Sequence, residues 1–291
     1  MKRVNPVREP YPLITKNDST ETLSQRNDLY HRQESVAFSN RVNVHIPYPK
    51  LIENIKLVND KRLDLEIYFN STTLDSIKIK DYKRLKEDLN YNPRFTFHAP
   101  FIDLSPGAID ERVRKITLER FIHIFEIAEL FRPEVIVFHP GYDKWRYNGY
   151  TDIWLKNSVD TWKSVLEKAD KLNIKVAIEN IFEEEPETLK ILVKEINSPN
   201  LGVCFDTGHF NLFSKVSLEK WFEEIGDNII EVHLHDNTGK NDDHLGIGDG
   251  NVNFDLFFTL LKKSKSRPLL TIEGHSKEAI EKSLINIQKY L

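Results

Sequence analysis

From residue 42 onward the chain alternates between short apolar runs and longer stretches whose apolar residues recur every three or four positions. The runs are VNVHIPY (42–48), LDLEIYF (63–69), RFTFHAP (94–100), EVIVFHP (134–140), IKVAIEN (174–180), LGVCFD (201–206), IIEVHLHD (229–236) and LLTIEG (269–274). Their lengths and their β-branched and aromatic content predict eight strands, and their buried composition argues for parallel pairing. Helix-spaced segments separate them. DERVRKITLERFIHIFEIAELF puts Ile116, Leu118, Phe121, Ile122, Phe125, Ile127, Ala128 and Leu130 on one broad face. TDIWLKNSVDTWKSVLEKADKL does the same with Trp154, Leu155, Val159, Trp162, Val165, Leu166 and Leu172. Weaker patterns over 49–60, 186–196, 217–225, 254–264 and 276–290 predict shorter helices, and NSTTLDSIKIKDYKRLKEDLN reads as helical only in its later half.

Strand–helix alternation repeated eight times predicts an α/β protein, a closed (β/α)8 TIM barrel. An open doubly wound sheet would expect a Gly-rich phosphate loop after an early strand, and none is present. Residues 1–40 lack either periodicity and carry Pro6, Pro10 and Pro12 in a polar context. They are expected to form an irregular or partly disordered N-terminal extension, with the barrel over 41–291.

Composition narrows the partners. The net charge of −4 over 291 residues gives no global basic field for nucleic acid. A single cysteine, Cys204, excludes an internal disulfide framework and favours a reducing compartment. No apolar run is long enough to span a bilayer, so a cytoplasmic protein without a membrane partner is expected. A homo-oligomer is compatible with all of this.

The ends of the predicted strands carry the chemistry. Strand three ends in His98, strand four in His139, and strand five in Glu179 and Asn180. Strand six ends in Asp206, with His209 one turn later; strand seven carries His233, His235 and Asp236; strand eight ends in Glu273. In a parallel barrel these ends meet at one face, where active sites are built. Buried unpaired carboxylates and imidazoles would cost several kcal/mol each, so a shared divalent cation is the simplest partner. Downstream, DDHLGIGDG brings Asp242 and His244 back toward the rim, and its three glycines allow a close fold over it. Cys204, two positions before Asp206, points to the same side and reads as a small buried filler.

The segments FHAPFIDLSPGA, VIVFHPG, VAIEN, VCFDTGHFNL, VHLHDNTG, DDHLGIGDGNVNF and LTIEGH together resemble the xylose-isomerase-like TIM-barrel superfamily. The resemblance spans about residues 42 to 291 and is to the sugar-phosphate isomerase and epimerase-like proteins and their relative endonuclease IV. On the endonuclease pattern it implies three zinc ions. His98, His139 and Glu179 would hold one; Glu179 would bridge to a second, held also by Asp206, His233 and Glu273; His209, Asp242 and His244 would hold the third. On the isomerase pattern it implies one ion at Glu179, Asp206, His233 and Glu273, with His209 near the substrate and His235 competing with His233. HAPF stands where the endonuclease pattern has HASY, so an aromatic hydroxyl is missing.

The resulting expectation is a metal-dependent isomerase or epimerase of a small sugar or sugar phosphate, using one to three zinc or manganese ions. Proton transfer is of the enediolate type, with Glu179 and Glu273 as the acid–base pair. His209 and His235, with Lys144 and Trp145 from the loop GYDKWRYNGY, are the candidate substrate contacts. The second reading is a zinc-dependent phosphodiesterase of endonuclease IV type acting on abasic-site DNA, for which the acidic balance is unfavourable.

Overall fold

The structure, a computed structural model, describes residues 42–291. The expected N-terminal extension, 1–40, lies outside the described residues. Eight strands form the sheet: β1 (Val42–Pro47), β2 (Asp64–Tyr68), β3 (Phe95–His98), β4 (Val135–Phe138), β5 (Lys175–Glu179), β6 (Leu201–Asp206), β7 (Ile229–Leu234) and β8 (Leu269–Ile272). They pair in chain order, all parallel, and β8 closes onto β1. The alternating hydrophobic pattern thus resolves into a (β/α)8 barrel, as the repeat predicted.

The connections are α1 (Tyr48–Glu53), α2 (Ile55–Lys61), α3 (Ser71–Ser76), α4 (Ile79–Asp88), α5 (Glu111–Phe131) and α6 (Thr151–Leu172). They continue with α7 (Glu187–Ile196), α8 (Thr207–Phe213), α9 (Leu218–Ile225), α10 (Phe254–Lys263) and α11 (Lys277–Asn286). The β2–β3 connection is helical in both halves, contrary to expectation. Asn70 caps α3 by accepting a hydrogen bond from the Thr73 amide at 2.7 Å, which stabilises a turn too short to show a period. The face of α5 is also shifted: Thr117, Phe121, Ile124, Phe125, Ala128 and Phe131 are buried, whereas Ile116 is 57 % exposed. Among the described residues, no helix is long and apolar enough to cross a membrane.

Strand alternation divides the interior in two. Outward residues such as Ile136, Phe138, Val176 and Ile178 join the helix faces in the main core. There Phe121 stacks on Trp162 at 5.2 Å between ring centres, and both contact Phe138. Inward residues of the middle strands, Val135, Val137, Ala177 and Cys204, form a separate small apolar cluster inside the barrel. The rest of the barrel interior is polar: Asn43, His45, Glu66, Thr96, Glu231 and Thr271 are all buried.

Candidate metal centre

Register decides which side chains meet. In the β6–β7 pair the register shifts between Val203 and Cys204, after which Asp206 stands opposite His233. Irregularities of this kind re-aim side chains near functional sites. Asp206 also caps α8, accepting from the His209 amide at 2.7 Å, and this fixes His209 one turn beyond the strand. Helix α8 had no hydrophobic period to announce it; only the Asp-Thr-Gly-His spacing hinted at a capped turn.

The strand-end residues converge as the topology requires. One group is Glu179, Asp206, His233 and Glu273, whose ligand atoms all lie within 4.8 Å of one another. The His233 Nδ1 atom is 3.4 Å from Glu179 Oε1, 3.8 Å from Asp206 Oδ2 and 3.2 Å from Glu273 Oε2. A second group is His98, His139 and Glu179, with the imidazole Nε2 atoms 3.1 and 3.3 Å from Glu179 Oε2. A third is His209, His235, Asp242 and His244. His235 therefore groups with His209, Asp242 and His244 rather than standing in the place of His233, and its Nε2 lies 3.0 Å from Asp206 Oδ1. Gly208 makes that position accessible, since a Cβ there would lie 2.0 Å from the His235 ring.

The imidazoles are oriented by their second nitrogens. The Nδ1–H groups of His98, His209 and His244 face the carbonyls of Ala99, Asn180 and Glu273 at 2.9, 3.1 and 3.0 Å. Each thereby presents Nε2 to a carboxylate, a tautomer typical of metal-binding histidines. His244 holds a left-handed backbone, φ 46°, a conformation that costs about 1–3 kcal/mol and concentrates at functional positions. Its ring lies between His235 and His275, stacked at 3.8 and 3.7 Å.

Electrostatics follow from this packing. Burial alone would raise the Glu179 carboxyl, but His233, His139 and His209 override it and hold it well below the usual range. Burial likewise opposes ionisation of Glu273, and His45 and His233 prevail to keep it low. Burial would discharge His209, yet Asp206, Asp242 and Glu179 raise it well above its ordinary value. His139 is lowered by burial, and His275 is pushed down to about 3 by burial and the neighbouring His244. Burial raises the Cys204 thiol well above its usual value, in keeping with a filler.

The residues present fit a divalent cation. His233 Nδ1 and Glu273 Oε2 are buried without a hydrogen-bond partner, facing each other across the first group. Nitrogen and carboxylate oxygen donors in fours suit zinc or manganese.

Lys144 and Trp145 have other partners. Trp145 is 82 % exposed, and the Lys144 ammonium sits 5.0 Å from its ring while pairing with Glu184 at 2.5 Å. Phe101, of HAPF, stacks on His139 at 4.0 Å and so supplies an apolar wall where a hydroxyl was absent. His45, Glu66 and Glu231 were not anticipated. They carry the signal that marked the others, a polar residue at an inward position of an apolar strand, but they sit mid-strand, where a search of strand ends passes over them.

Comparison with known proteins places this geometry. An uncharacterised Methanocaldococcus jannaschii protein, MJ1311, is 37 % identical over 209 residues, covering 69 % of this chain and 71 % of its own. The L-ribulose 3-epimerase of a Methylomonas species is 30 % identical over 138 residues, 45 % of this chain and 46 % of its own. The crystal structure of a D-tagatose 3-epimerase-like protein superposes with a TM-score of 0.74 at 32 % identity, covering 86 % of this chain and 96 % of that one. Residues 57–290 match the xylose isomerase-like TIM-barrel family, and the chain belongs to it.

Proposed function

We propose that this protein is a divalent-cation-dependent isomerase or epimerase of a small sugar or sugar phosphate, with Glu179 and Glu273 as its acid–base pair. The observation that carries the reading is the four-donor group of Glu179, Asp206, His233 and Glu273, delivered by four successive strands to one buried point. The similarity to proteins named as sugar 3-epimerases supports the substrate class.

Glu179, Asp206, His233 and Glu273 would hold the cation. When bound, a divalent cation supplies Lewis acidity that polarises a carbonyl and the neighbouring hydroxyl. The protein supplies the proton chemistry. Glu179 and Glu273 stand at the ends of β5 and β8, three strands apart in the ring of eight, so their carboxylates approach a substrate from different sides. Both are held ionised, so either can accept a proton from the carbon beside the carbonyl through an oxygen not engaged as a donor. The first carboxylate keeps the proton it has taken, and the other, after taking up one proton from solvent water, delivers it to the opposite face of the carbon, with the first then losing its proton to solvent. The imidazoles of His98 and His139 lie beside Glu179 Oε2, at 3.1 and 3.3 Å.

The test is incubation of the manganese- or zinc-loaded protein with ketopentoses, ketohexoses and their phosphates in deuterated water. Deuterium should enter the carbon next to the carbonyl as the epimer or isomer appears. Glu273→Gln should reduce that exchange by at least about a thousandfold, as expected for loss of a proton-transfer group together with a metal donor. Full activity in a metal-replete Glu273→Gln protein would remove the residue from the pair.

The group of His209, His235, Asp242 and His244 favours a second reading, with more than one ion and phosphodiester chemistry. About three tightly held zinc ions per chain, with nicking of an abasic-site duplex, would support it over the sugar reading.

A further inference from the structure

Four imidazoles in the cluster are oriented by a second bond, but His233 is oriented differently from the other three. His98, His209 and His244 anchor Nδ1 on backbone carbonyls. His233 instead directs Nε2 at a carboxylate: Glu66 Oε1 and Oε2 lie 3.1 and 3.2 Å away. Its Nδ1 is thereby the atom turned to Glu179, Asp206 and Glu273. Glu66 is itself held from below. It accepts from His45 Nδ1 at 2.8 Å and from the Thr96 hydroxyl at 3.3 Å. Thr96 accepts from the Asn43 amide at 3.0 Å, and Asn43 accepts from Arg94 Nη2 at 3.1 Å near the start of β3. Asn43, Glu66, Thr96 and His233 are all fully buried. A continuous hydrogen-bonded file thus runs down the polar half of the barrel and ends on one donor of the four-residue group.

We propose that Glu66 is a positioning residue for that group: it holds the Nε2–H tautomer of His233 and raises the donor strength of Nδ1 toward a divalent cation. The inference rests on the reading of His233 as a ligand and deepens it. A carboxylate behind a ligating imidazole fixes the ring and increases its basicity, and loss of such a partner typically weakens metal affinity ten- to a hundredfold. A carbonyl anchor orients the ring without a full negative charge, so His233 is the donor most dependent on its partner.

The experiment is chelator competition for zinc and for manganese with the full chain, in the absence of sugar. Glu66→Ala should raise the dissociation constant about 10- to 100-fold. Glu66→Gln, which keeps an acceptor oxygen but not the charge, should raise it less, and it decides the matter alone where the alanine variant does not fold. Long-range nitrogen–proton NMR correlations should show His233 protonated on Nε2 in the parent, with that preference lost in Glu66→Ala. Unchanged affinity in both variants, or a parent His233 protonated on Nδ1 and not on Nε2, would overturn the proposal. A parent that binds neither ion would overturn the ligand reading of His233, while the tautomer in the ion-free protein would still decide whether Glu66 orients the ring. Weakened binding by the variants in a protein inert toward every sugar would leave Glu66 in its role and remove only the epimerase reading.

Discussion

Glu183 shows how one buried carboxyl shapes stability near the site. Its Oε2 accepts a hydrogen bond from the Ile181 amide at 2.6 Å, while Oε1 has no hydrogen-bond partner. Burial pushes its pKa up to about 7 from an ordinary 4.5, so the folded chain keeps a proton that the unfolded chain has lost. The contribution of Glu183 to stability therefore falls as pH rises from about 4.5 to about 7, by roughly 3 kcal/mol. Glu183→Gln removes this dependence. In urea titrations the variant should be more stable than the parent at pH 8 and nearly equal to it at pH 4.5. A difference that does not change with pH would contradict the assignment. Nothing in IFEEEPE distinguishes Glu183 from its acidic neighbours; only the turn after β5 buries this one.

At the scale of elements, the loop after β7 carries the arrangement. Its composition of His, Asp and Gly suggested that it returns to the rim, and Asp236 explains how. Its buried carboxylate accepts from the amides of Asn237 and Val252 at 2.9 and 3.0 Å and of Gly248 at 2.9 Å. Its backbone pairs with Leu245 in an isolated bridge. Gly250 lets the chain pass, since a Cβ there would lie 2.1 Å from the Asn237 carbonyl. Asp242 and His244 are thereby pinned beside His209. Asp236→Ala leaves three amides without their acceptor and should cost about 3–5 kcal/mol in denaturant unfolding. In a protein loaded with more than one ion, it should also weaken binding at the third group while leaving the four-residue group occupied. Equal loss at both groups, read by metal titration, would show that the loop is not an independent clamp.

For the whole molecule, the proposed cation would couple to stability through the acidic groups buried inside the barrel. Burial and the nearby Glu66 raise Glu231 well above the usual range, so that carboxyl is held neutral, while Glu66, Glu179 and Glu273 are held ionised among imidazoles. A ligand at a hundred times its dissociation constant stabilises the folded state by about 2.7 kcal/mol. Chelator treatment should then lower the melting temperature by roughly 5–10 °C for a chain of this size. The shift should shrink at pH 5.5, because ligating imidazoles and carboxylates must release protons to bind metal. A melting temperature indifferent to chelator at pH 8 would argue against a resident ion.

The sequence by itself determined the barrel, because eight repeats of a buried strand and an amphipathic helix allow few other closed arrangements. It also marked the candidate ligands, since His98, His139, Glu179, Asp206, His233 and Glu273 interrupt apolar runs at strand ends, where barrel topology brings them to one rim. Tertiary structure decided what linear order cannot contain. The shift after Val203 set Asp206 against His233; the cap on α8 aimed His209; and His235 joined Asp242 and His244 because Gly208 left it room. The inward placement of His45, Glu66 and Glu231 beneath the rim depends on closure of β8 onto β1, a contact between segments more than two hundred residues apart. Periodicity records which face a side chain takes, whereas the partner it meets there is fixed only when the ring closes.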